Sequence, residues 1–357
     1  MAGRVLAALL AAAPGVLASS IRDEISVDRT QSTAQNPRAG SFSNLLGASF
    51  DVGEDWVVSG TAVVTLEDAT PGPARAAFRD TGGTVTSFSL GADWDLTYQY
   101  SVGARVSLSP ESTTRSNATL IVERNGRAAS AAAPVDVTGS SRSIEFSAEY
   151  DSAGTSDLEW ALGAAVNLTR HSTLQQVPGI RFADGTLLTP QETRTACALP
   201  RSRCPQALLR ALDGNGADLG SARLSLSAMV TLSRDTDLSL DGDYYAYDGD
   251  PARFGYFGVA GSLQRPEGIG AAIAPLRFVV RPEVAHRFGA FSLRLWIQAG
   301  RYVSGVGQST GALGAKAQMR FGSSFRAWIA ASGQNDVDAQ GDAAQSVTVS
   351  VGGAVRF

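Results

Sequence analysis

The stretch Gln345–Phe357, QSVTVSVGGAVRF, decides the fold. Val347, Val349, Val351, Gly353, Val355 and Phe357 fall on one side of an extended chain, and Ser346, Thr348, Ser350, Gly352, Ala354 and Arg356 on the other. Side chains in a strand alternate between faces with period two, so this is a two-faced strand that finishes on an aromatic residue.

The pattern recurs upstream. Phe88, Leu90, Ala92 and Trp94 alternate with Ser87, Ser89, Gly91 and Asp93, and Tyr98, Tyr100, Val102, Ala104, Val106 and Leu108 follow closely in the same manner. Alternating runs flank Ser233-Arg234-Asp235 and again Gly322-Ser323, which reads as hairpins with tight turns. The linkers at the other ends of the hairpins, 68–83, 110–141, 175–220 and 334–344, are long and polar. Past the N-terminal segment no apolar run approaches the roughly 18 residues of a membrane helix, so a membrane-spanning form of this chain uses strands.

The terminal strand, with this asymmetry of short turns and long loops, resembles the outer-membrane β-barrel proteins of Gram-negative bacteria. The resemblance implies an all-β chain forming a single transmembrane antiparallel barrel in the cell outer membrane. About 16 strands are expected, with 14 the next count, because bacterial barrels are nearly always even. It further implies that Phe357 is the signal read by the barrel-assembly machinery, the expected partner during biogenesis, and that outer-membrane lipid surrounds the apolar face. A soluble β-sandwich also alternates, but charge deep inside long runs disfavours it. So do aromatics gathered by the short turns and the terminus, namely Trp94, Tyr98, Phe321, Phe325 and Phe357.

The other end of the chain agrees. Arg4, the apolar run Val5 to Ala13, a Pro14-Gly15 break and Val16-Leu17-Ala18 have the order of a secretory signal peptide. The expected organisation is therefore 1–18 signal peptide and 19–357 barrel, with 110–141 and 175–220 as long extracellular loops that constrict or cap it. One region resists: with runs at 253–264 and 274–287 both taken as strands, directions between 248 and 287 do not alternate consistently, so one strand there is missing or spurious, and the reading fails over Gly255 to Arg281.

Chemistry is sparse. A formal charge of −4 with scattered Lys and Arg gives no basic footprint, so no nucleic-acid partner is expected. If the apolar face meets lipid, the polar face lines a lumen and its charges sort by sign. Asp51, Asp93, Glu145, Glu149, Glu159, Asp237, Asp241 and Asp243 form an acidic wall, and Arg277, Arg281, Arg294, Lys316, Arg320, Arg326 and Arg356 a basic one. Opposed walls set a transverse field across water that selects polar solutes, although the same charges would pair and fill a closed lumen.

In the oxidising compartment implied by the resemblance, Cys197 and Cys204 are expected to form a disulfide stiffening the longest loop. Asp213-Gly-Asn215-Gly-Ala-Asp218 partly matches a calcium loop but lacks its distal Glu, so turn chemistry is the simpler reading. His171 and His286 are the only neutral-pH bases, and neither has a fixed nucleophile or acid in its local sequence. No cofactor, metal or enzymatic activity is expected. The reading favours passive or substrate-selective diffusion of small polar solutes. Its alternatives are a closed barrel acting at the cell surface and, behind it, an outer-membrane hydrolase.

Overall fold

The structure is a computed structural model and describes residues 20–32, 38–70, 82–152, 159–204, 206–251, 276–303, 307–338 and 343–356. The signal-peptide segment 1–18, the run at 253–264 and Phe357 lie outside the described residues.

The strands are β1 Ser20–Ser32, β2 Arg38–Val52, β3 Trp56–Thr70, β4 Gly82–Asp95, β5 Tyr100–Arg124, β6 Arg127–Asp151, β7 Trp160–Gln176, β8 Ile180–Phe182, β9 Leu187–Leu188, β10 Asn215–Ser233, β11 Thr236–Tyr247, β12 Leu276–Phe288, β13 Phe291–Tyr302, β14 Gly307–Phe321, β15 Phe325–Asp338 and β16 Ala343–Arg356. All pairings are antiparallel, and β1 pairs with both β2 and β16, closing a ring of 14 strands. Closure leaves the ring without an edge strand, so backbone groups along it pair with neighbouring strands, as an apolar medium requires.

The count corrects the expectation of 16. β11 pairs directly with β12, with Leu238 opposite Val284 and Tyr244 opposite Phe278, so the ring closes without a strand from 253–264. The inconsistent directions between 248 and 287 came from including that run. β8 and β9 are short and stand outside the ring.

Facing follows the sequence pattern. Val347, Val349 and Val351 are exposed on the outer surface, whereas Ser346 and Thr348, which alternate with them, are buried. The same alternation places Leu313 outside and Lys316 inside on β14, and Leu224 and Leu226 outside and Arg223 inside on β10. Outer-face aromatics pair around the rim at the short turns. Trp56 stacks on Trp94 at 5.3 Å, Tyr150 touches both Tyr100 and Trp160, and Phe321 lies 5.5 Å from Phe325.

The expected loop 110–141 is instead paired strand. β5 and β6 continue beyond the ring as a hairpin closed by Asn125-Gly126, both at positive φ, the geometry a two-residue hairpin turn requires. Its pairing was hidden in the sequence by Pro110, Pro134 and an alanine-rich run that blurs the period-two signal. An overhanging hairpin must bury one face, and the segment 177–214 does this. Leu120, Val122, Ala131, Ala133 and Val135 of the hairpin pack with Val177, Ile180, Phe182, Ala211 and Leu212 into a small core of their own. Two helices, α1 Pro190–Cys197 and α2 Gln206–Ala211, complete this cap. α1 starts at Thr189 with a reciprocal cap to Glu192 and Pro190 in its first turn. Cys197 and Cys204 are joined in a disulfide with Cα atoms 5.7 Å apart. The expected loop 175–220 thus contains β8, β9, both helices and the start of β10. The turn reading of 213–218 holds only for its start: Asn215 to Asp218 belong to β10, opposite Gln175 to Ser172 of β7, and the Asp213 carboxylate pairs with Arg194.

Candidate functional site

The chemistry of this chain is concentrated on the inner face of the ring. Register places Asp51 on β2, Asp93 on β4, Glu145 and Glu149 on β6, and Asp237, Asp241 and Asp243 on β11 at inner-face positions. Glu159 precedes β7 at the short-turn end, exposed, with its carbonyl accepting the Thr231 amide. Arg223 of β10 and Arg105 of β5 reach Glu145 at 3.0 and 3.9 Å, Arg287 of β12 reaches Asp237 at 2.9 Å, and Ser225 donates to Asp243 at 2.6 Å.

Arg281, Arg294, Lys316, Arg320, Arg326 and Arg356 occupy inner positions on β12 to β16. Arg277 departs from the expected wall. A register shift between Leu276 and Phe278 turns Leu276 into a buried cluster with Val279 and Tyr302 and leaves Arg277 exposed.

Several inner residues went unnoticed in the sequence. Arg22 and Glu24 alternate with Ile21, Asp23 and Ile25 on β1, a signal that was legible. Trp296 and Trp328 lie on the polar face, where alternation alone does not call for an aromatic. Each lies flat across a glycine of the next strand, Trp296 over Gly314 and Trp328 over Gly352, where a Cβ would overlap the ring. Each also carries a cation from the preceding strand, Arg281 at 4.7 Å from the Trp296 ring and Lys316 at 4.3 Å from the Trp328 ring. Higher on the same wall, Tyr302 and Gln334 donate to the buried carboxylate of Asp336 at 3.0 and 2.9 Å.

Nothing here assembles a hydrolytic site around the histidines among the described residues. His171 faces Ser141 and Leu219 across its neighbouring strands, and His286 contacts Thr236 Oγ1 at 2.8 Å and packs edge-on against Phe288. No group of three or more His, Cys, Asp or Glu among the described residues is arranged to hold a metal ion.

The inner-face side chains of Arg105 and Arg294 are 49% and 55% exposed. In a closed ring such exposure is to space inside the barrel.

This chain has the fold of an outer-membrane β-barrel. Among solved structures it is similar to a Pseudomonas aeruginosa FadL homologue, with 12% identity, 95% of this chain and 90% of that chain covered, and a TM-score of 0.55. It is also similar to the CymD monoaromatic hydrocarbon channel, with 9% identity, coverage of 96% and 89%, and a TM-score of 0.51. No protein-family model matches the sequence, and no curated protein matches it.

Proposed function

We propose that this protein is an outer-membrane channel for small polar solutes, oriented with its short turns in the periplasm and its cap outside. The observation that carries the reading is the half-exposed charge on the inner face of a closed 14-strand ring. A ring of this size leaves an aqueous interior unless something fills it, and ionised groups stand there only when water reaches them. Carboxylates dominate the inner face from β2 to β11, and Arg and Lys dominate it from β12 through β16 to Arg22, so the field runs across the lumen. The test is conductance of the purified protein in a planar bilayer. Steady ionic current is expected, and its absence in every preparation that inserts would replace this reading with the closed surface barrel. Replacing Arg294, Lys316 and Arg320 together with Gln is expected to move the reversal potential across a salt gradient toward cation selectivity, because the acidic wall then dominates.

One observation favours a second reading, passage of an apolar solute as in the hydrocarbon channel to which the fold is similar. β4 and β5 lose their pairing between Gly83/Thr114 and Phe88/Leu108, leaving an interruption in the wall beside Pro110. Uptake of a monoaromatic hydrocarbon into vesicles containing the protein, with no ionic current, would select this second route.

A further inference from the structure

We propose that the lumen holds an anion-binding subsite at its short-turn mouth, built from Arg22, Arg320, Arg326 and Arg356 and extended upward by Lys316 and Arg294. It takes the anionic group of a small solute, a carboxylate or a phosphate. The proposal rests on the channel reading for access from bulk water, but binding itself does not depend on current flowing.

Register carries the argument. Three pairs of directly opposed residues on neighbouring strands are like charges: Arg294 with Lys316, Arg320 with Arg326, and Arg22 with Arg356. Directly opposed like charges destabilise a sheet, and a cluster of them raises the local potential until a counter-anion enters. Among the described residues, carboxylates do not supply that anion in full. Glu24 is shared by Arg22 and Arg326, the latter at 3.4 Å, and Glu283 by Arg281 and Arg294 at 3.0 and 3.3 Å. Lys316, Arg320 and Arg356 make no ion pair among the described residues.

Space and donors are present at the same place. A cavity of about 490 Å³ is bordered by Arg22, Arg320, Arg326 and Arg356, with the hydroxyl residues Ser20 and Ser324 at its rim. Arginine forks match carboxylate and phosphate oxygens in two-point contacts, so four guanidinium groups around one cavity recognise an oxyanion and repel a cation. The Trp328 ring, fixed flat over Gly352, holds Lys316 against the wall above the cavity and keeps its ammonium from swinging into the centre of the lumen.

The experiment is calorimetric titration of the full chain in detergent micelles with benzoate, with inorganic phosphate and with benzylamine as the cationic control. At least one of the two anions is expected to bind and benzylamine not to bind, with affinity lowered at least tenfold in the double variant Arg320→Gln/Arg356→Gln. Arg320→Gln alone, which removes one of an opposed pair and relieves repulsion, should fold normally and show a smaller loss. Arg142→Gln on the outer face should bind as the parent does. The tighter of the two anions identifies whether the site prefers a carboxylate or a phosphate. Failure of both anions to bind a protein that conducts overturns the subsite and leaves the channel reading standing. Anion binding lost in the double variant of a protein that never conducts would support the subsite and sink the channel reading instead.

Discussion

Arg22, near the start of the first strand, is the register partner of Arg356 at the end of the last. The seam that closes the barrel therefore opposes two positive charges, and Glu24, touching both Arg22 and Arg326, offsets the first of them and leaves Arg356 without an ion pair among the described residues. Glu24→Gln is expected to weaken the closed ring on the order of 1–2 kcal/mol, between the ranges for exposed and buried pairs. Urea titrations of refolding in lipid vesicles check it, and unchanged stability would mean that solvent already screens the seam.

Faces can be tested by placing charge. Val349 is exposed on the outer surface and Ser350 is next to it on the inner one. Val349→Arg should cost about 2–4 kcal/mol if the outer face meets the middle of the bilayer, and Ser350→Arg far less. Ala317→Arg and Gln318→Arg repeat the comparison one strand pair away. Equal costs on both faces in lipid refolding titrations would exclude a membrane-embedded barrel.

Gly352→Ala probes the stacked tryptophan. A methyl group there overlaps the Trp328 ring and comes within 2.6 Å of the Ile25 carbonyl oxygen, so the ring must rotate off the wall with Lys316 and the neighbouring β1 backbone must also give. Overpacking of this kind costs about 1–3 kcal/mol. A changed near-ultraviolet dichroism with unchanged strand content is expected, whereas Gly333→Ala, where a Cβ meets open space, should leave both unaltered.

The cap should come apart without the barrel. Its core is separate from the ring, and the Cys197–Cys204 link closes a short loop whose chain-entropy contribution is about 2–3 kcal/mol. Limited proteolysis of Cys197→Ser/Cys204→Ser should cut within 177–214 faster than in the parent while the ring stays resistant. Simultaneous loss of both would show that cap and barrel fold as one unit.

Acid should act on the cap late. Asp184, outside the membrane-spanning strands, accepts the Thr186 amide and the Arg124 guanidinium, and these hold its carboxyl at about 2. Glu192 is lowered too, by its bonds to Thr189 at the start of α1. A depressed carboxylate contributes stability that is complete above its unfolded value, about 4, and is lost as pH falls through the folded one. Cap proteolysis rates should therefore be flat from neutrality to about pH 4 and rise below it. Asp184→Asn should be already faster at neutrality.

Period-two alternation in segments such as 220–232, 308–321 and 345–357 was enough to assign strands and faces, because facing depends only on each residue's neighbours along the chain, whereas the barrel class came from the resemblance of the terminal strand and from the asymmetry of short turns and long loops. The inner-face parity of most of the charged residues was legible for the same reason. Arg277 was misplaced because one register shift inverts parity, and no local pattern announces a bulge. The ring of 14 strands, the direct pairing of β11 with β12 and the cap built on the β5–β6 hairpin were decided by tertiary structure, since each is a contact between segments far apart in sequence. So was the candidate site. Arg22 and Arg356 stand at opposite ends of the described chain, and only closure of the ring brings their charges together.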